Sequence, residues 1–103
     1  MIARLWRGWA ANTQNADLYE EFLRSSFLPS LHEIDGYHGA SVLRRDVGDE
    51  IEFMTVTRFS SVDAIRKFAG EDYEAAHLAP RARQLLKHFD ARCLHFNLVA
   101  ENL

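Results

Sequence analysis

The sequence is short of the features that announce many functions. Its 103 residues include one cysteine, Cys93, and two prolines. A single thiol closes no internal disulfide, and no metal-type cysteine spacing exists. No apolar run is long enough to cross a bilayer. The segment from Met1 to Trp9 carries Arg4 and Arg7 within a short apolar run and lacks the core of a signal peptide, so the sequence reads as cytoplasmic. Fifteen acidic against twelve basic residues give a formal net charge of -3, which offers no general attraction to nucleic acid or an anionic membrane. The five histidines, at 32, 38, 77, 88 and 95, form no metal-ligand spacing. There is no glycine-rich phosphate loop and no serine- or cysteine-based triad order. No linker, repeat or low-complexity segment is present, so residues 1–103 read as one domain.

What is present is a mixed pattern of alternation and helical spacing. Ile2 to Ala10 reads as a strand. Ala16 to Leu31 has helical spacing, with Tyr19, Phe22, Leu23 and Phe27 on one face and Glu20, Glu21 and Arg24 on the other. Thr13 or Asn15 is the expected cap, and Pro29 is expected to kink the end of the helix. Tyr37 to Arg45 and Ile51 to Phe59 read as two strands of a hairpin joined through Gly48. Ser60-Ser61-Val62-Asp63 resembles a capping box opening a helix that Gly70 ends. One helical turn is expected over Tyr73 to His77, a helix from Pro80 with Ala82, Leu85, Leu86 and Phe89 inward, and a last strand over Ala91 to Val99. The order β-α-β-β-α-β defines an α+β, ferredoxin-like fold: an antiparallel sheet with helices on one face.

Both faces of the strands are apolar. Phe53 and Phe59 point one way, Met54 and Val56 the other. One layer of helices covers one face, so the second is expected to pack against another copy of the chain.

The order of elements, together with Ile2-Ala3-Arg4-Leu5-Trp6-Arg7-Gly8, Gly36-Tyr37-His38-Gly39-Ala40, Glu52-Phe53-Met54-Thr55-Val56-Thr57-Arg58-Phe59 and Glu71-Asp72-Tyr73-Glu74-Ala75-Ala76-His77, resembles the antibiotic biosynthesis monooxygenase (ABM) domain family. The resemblance implies a dimeric α/β barrel, in which two sheets pack face to face. Some members of that family oxygenate polycyclic phenols without metal or flavin. A related branch binds and degrades haem with an Asn on strand one, a Trp on the helix after strand three and a His beyond it. Only His77 matches that set. Trp6 or Arg7 stands in the Asn region, and Phe68 stands where the Trp is expected.

Cofactor-free oxygenation needs an apolar pocket, a base, and donors that stabilise a substrate anion. The sequence nominates His77 as base, because imidazole titrates near neutral pH, and Arg7 as the cationic catalytic partner. Trp9, His38, Phe53, Arg58, Phe68 and Tyr73 are the expected substrate-binding residues, with no metal site and no required cofactor, haem being the alternative. The plainer readings are a helix-end histidine at 77 and an Arg7 paired with a nearby Asp or Glu. Three functions follow: a cofactor-independent monooxygenase of a small aromatic or quinone-like molecule, a haem-binding relative, and a non-catalytic ligand-binding dimer.

Overall fold

A computed structural model describes residues 1–102. Five antiparallel strands form one sheet: β1 (Ile2–Ala10), β2 (Tyr37–Val47), β3 (Glu50–Phe59), β4 (His88–Phe89) and β5 (Leu94–Asn97). The strand order is β2-β3-β1-β4, with β5 also paired to β1. The sequence thus folds as the expected ferredoxin-like α+β sheet. Its last strand is divided in two, and the expected span of Ala91 to Val99 shortens to Leu94–Asn97.

Register assigns every side chain to a face, because directly opposed residues share one. Trp6 opposes Thr55, and Arg4 opposes both Thr57 and His95. These residues, with Gly8, Ala10, Phe53 and Phe59, look toward the helices. Leu5 opposes Val56 and Leu94, Arg7 opposes Met54, and Met54 opposes Leu43. They occupy the other, open face.

The helical layer begins with α1 (Thr13–Phe22). Its cap is Asn12, not the expected Thr13 or Asn15: the Asn12 carboxamide oxygen accepts from the Asn15 amide at 2.8 Å. A π-helical turn over Leu23–Phe27 leads into α2 (Leu28–Leu31). Pro29 has no N–H to give to an earlier carbonyl, and the wider turn lets the helix pass it without a break. The expected kink is therefore a change of winding, and Leu28 stays helical. Tyr19 and Leu23 are buried beneath this layer.

Helix α3 (Val62–Ala69) starts at Ser61, whose hydroxyl accepts from the Ala64 amide at 3.2 Å. Helix α4 (Pro80–Leu85) starts at Pro80, where a missing N–H costs nothing. The core has two parts. One joins Tyr19, Leu23, Phe53 and Leu85 between α1, α4 and the sheet; the other joins Phe59, Ala64 and Ile65 beneath α3.

The helical turn expected over Tyr73 to His77 is absent. The stretch is instead stitched to the chain before β5: Ala75 bridges Arg92, the Ala76 amide donates to the Ala91 carbonyl at 2.9 Å, and Arg92 pairs with Asp72 at 3.1 Å. Backbone partners across the gap replace the local i to i+4 partners that a helix would use.

Candidate functional site

A pocket opens between the helical layer and the helix-facing side of the sheet. Its cavity volume is about 90 Å³, and its free space, including the solvent-open mouth, is about 620 Å³. Phe22 and Phe27 descend from the first helical layer, Phe68 from α3, and Trp6 rises from the sheet. Trp6 is held by its indole N–H, which donates to the Asp90 carbonyl at 2.7 Å. Phe68 stacks on Phe59 with ring centroids 5.7 Å apart. The walls are therefore aromatic and fixed.

Polar residues interrupt the apolar lining: Arg4, Thr55, Thr57 and His77, together with Tyr19 and Cys93. His77 sits in the stitched segment before α4, exposed at the mouth. Arg4 lies in the floor and is 6% exposed. Its Nη1 donates to the Tyr73 carbonyl and to Nε2 of His95, the latter at 3.1 Å. Its guanidinium also lies 5.5 Å from the Phe68 ring centroid and beside the Cys93 thiol. None of these contacts is a carboxylate. Burial lowers the Arg4 pKa from its ordinary value, and Cys93 partly opposes the shift. Burial, then the Arg4 charge, lowers that of His95. Burial raises the Cys93 thiol, against the pull of Arg4.

Of the residues nominated from sequence, the structure brings His77 and Phe68 into the pocket, sets Tyr73 at its border, and separates the rest. Arg7 and Trp9 point to the open face, because β1 alternates and its buried side carries Arg4, Trp6, Gly8 and Ala10. Arg7 is paired with Asp90 at 3.0 Å, the plainer of its two expected roles. Trp9 stacks on His88 at 4.6 Å. Arg58 shares that open face and meets Glu101 at 3.6 Å. His38 is the extra residue where the β2–β3 register shifts between Tyr37 and Gly39, and it is exposed. Phe53 does face the helices, but it is sealed in the core with its edge toward Tyr19, ring centroids 4.9 Å apart, and does not line this pocket. Tyr73 borders the site: its carbonyl receives Arg4, and its ring meets His95 edge-on at 5.1 Å.

Arg4 and His95 escaped the sequence reading. The signal was available for Arg4, which is in phase with Ile2, Trp6 and Ala10, the apolar positions of the buried side of β1. Nothing local marked His95, whose place depends on pairing with a strand ninety residues away.

No family model matches the chain, and no curated protein matches it. Solved structures do. A variant of MhuD carrying two manganese protoporphyrin IX groups per active site superposes with a TM-score of 0.67 at 22% identity, over 99% of this chain and 98% of that one. The heme-degrader MhuD from Mycobacterium tuberculosis, with two hemes in its active site, gives 0.64 at 19% identity, over 99% of both chains. A candidate antibiotic biosynthesis monooxygenase from Bacillus cereus gives 0.61 at 13% identity, over 99% of this chain and 94% of that one. The chain has the fold these proteins share, the ferredoxin-like fold of ABM proteins, along its whole described length.

Proposed function

We propose that the chain is an oxygenase of a small aromatic or quinone-like molecule, bound between sheet and helices and working as a homodimer. The observation that carries the reading is one pocket with fixed aromatic walls, an imidazole at its mouth and a buried guanidinium in its floor. His77 takes the phenolic or α-keto proton of the substrate, and the resulting electron-rich anion reduces O₂ directly. One oxygen atom remains on the ring carbon as a carbonyl and the other leaves as water with the two hydrogens the substrate loses. The aromatic walls orient the ring and thin out the water, which strengthens the Arg4 charge on the developing anion.

The dimer rests on the open face. Leu5, Leu43, Met54, Val56, Leu94 and Phe96 meet there, and Leu43, Leu94 and Phe96 each leave about half or more of their surface bare. A second copy offers the same apolar surface.

Oxygen uptake with 1-naphthol tests the reading. Each mole of O₂ should yield one of naphthoquinone and one of water, and His77→Ala should lose about a hundredfold in rate. No uptake above the spontaneous rate, or an unaffected variant, overturns it.

A second reading is favoured by the porphyrins in two of the similar structures. His77 is a single imidazole beside apolar walls, and no cluster of three metal-ligating side chains exists among the described residues. That suits a metal bringing its own equatorial ligands, as haem does, better than a bare cation. His77 would hold the iron, and Trp6 and Phe68 would flank the ring. When bound, the iron supplies oxygen activation. Adding haemin should then produce a Soret band that His77→Ala abolishes.

A further inference from the structure

We propose that Arg4 is the specificity determinant of the pocket, selecting an aromatic monoanion, a carboxylate or phenolate, over its neutral counterpart. The inference rests on the ligand-binding reading above and names the ligand class.

A guanidinium nine-tenths buried normally meets a carboxylate, because an uncompensated charge in an apolar site is costly. Arg4 meets a backbone carbonyl, a neutral imidazole, a thiol and a ring face. Arginine has no acceptor atom, so Nε2 of His95 must accept, which fixes His95 as the neutral tautomer with its proton on Nδ1. Two carboxylates of the nearby chain are engaged elsewhere, Glu74 with Arg92 at 3.9 Å and Asp90 with Arg7 at 3.0 Å. Nη1 of Arg4 makes the hydrogen bonds to Tyr73 and His95, and the residue lines the pocket. Arginine carries five N–H donors and Arg4 has no carboxylate among its partners, so the guanidinium keeps donors for an anionic oxygen that the protein itself does not supply. The surrounding walls are aromatic, so the rest of the ligand is a ring.

The experiment compares 2-naphthoate with 2-naphthamide, nearly identical in shape and different in charge, by calorimetry and by quenching of Trp6 fluorescence. Naphthoate should bind at least tenfold more tightly. Arg4→Met should bring the ratio near one, and Arg4→Lys, which keeps the charge and loses the fork, should retain part of it. If Arg4 only braced the Tyr73 segment, its loss would weaken both probes alike and leave the ratio unchanged. Equal affinities in the unaltered protein, no naphthoate binding, or a preference that survives Arg4→Met overturns the proposal. Arg4→Met that fails to fold by circular dichroism leaves Arg4→Lys and the unaltered protein to decide. Binding is read without turnover, so absent oxygen uptake sinks the oxygenase reading and leaves this one standing.

Discussion

Nη1 of Arg4 lies 3.1 Å from Nε2 of His95, across the β1–β5 pair where the two residues are directly opposed. A protonated His95 would turn an acceptor into a second donor against a cation. Its pKa is accordingly held below the ordinary 6.5, by burial first and by Arg4 second, with Glu74 pulling the other way.

The first expected outcome concerns stability against pH. Below about 6.5 the unfolded chain binds a proton at residue 95 that the folded chain refuses. The unfolded state then holds more protons, so stability falls as pH drops from neutrality through 6.5 toward the lower folded value. His95→Gln keeps an acceptor for Arg4 and removes the titration. Urea unfolding at pH 7.5 and pH 5.5 should show a smaller loss for the variant than for the unaltered protein. The Glu50 carboxylate, lowered by hydrogen bonds from His88 and then Lys87, acts at more acidic pH and does not share this window.

A second outcome concerns Gly36, at the turn before β2. Its φ is +92°, and an added Cβ would sit 2.6 Å from the Ala64 Cβ and 2.7 Å from the Ser60 hydroxyl. Gly36→Ala therefore adds a clash with α3 to a strained backbone and should cost on the order of 2 to 3 kcal/mol. Gly48 in the hairpin turn also has positive φ but open space around it. Gly48→Ala should cost about 1 kcal/mol. Equal urea midpoints for the two variants would show that the Ala64 contact does not matter.

How much of this was legible in the sequence follows from the range of the forces involved. β1 was readable to the residue, and α1 was readable from its apolar stripe, because alternation and helical spacing are local. A serine cap opening α3 was readable for the same reason, but one residue early: the Ser60–Asp63 box puts it at Ser60, and Ser61 holds it. The segment from Tyr73 to His77 was misread as helix because its backbone partners, Ala91 and Arg92, lie far along the chain. For the site, His77 and Phe68 were placed at the pocket, yet Arg7 was chosen where Arg4 stands. Both arginines lie on one strand, and only the helix-side phase, set by Trp6 and Ala10, separates them.

A third outcome tests the open face. Phe96 leaves 53% of its surface bare in the single chain and Leu94 leaves 61%. A charge at either place disturbs little intrachain packing, so the fold should survive by circular dichroism. In a paired molecule the same charge is buried against apolar surface. The unaltered protein should sediment as a dimer at micromolar concentration, and Phe96→Glu should sediment as a monomer or associate at least tenfold more weakly. Sedimentation of the unaltered protein as a stable monomer would remove the homodimer from the proposal.

The last outcome separates two phenylalanines that the sequence reading grouped together. Phe53 is 1% exposed, packed edge-on to Tyr19, and does not line the pocket. Phe68 is half-buried, forms a pocket wall, and stacks on Phe59. Truncating a fully buried Phe leaves a cavity and costs about 3 to 5 kcal/mol. Phe53→Ala should fall in that range, while affinity for naphthoate, measured where the variant remains folded, should stay within a few fold. Phe68 surrenders less buried area, so Phe68→Ala should cost about 2 kcal/mol. It should change affinity at least tenfold, because one wall and the ring against the Arg4 guanidinium go together. If the two variants ranked the other way in affinity, the ligand would sit under α1 against Phe53, and the pocket between Trp6, Phe68 and Arg4 would not be the site.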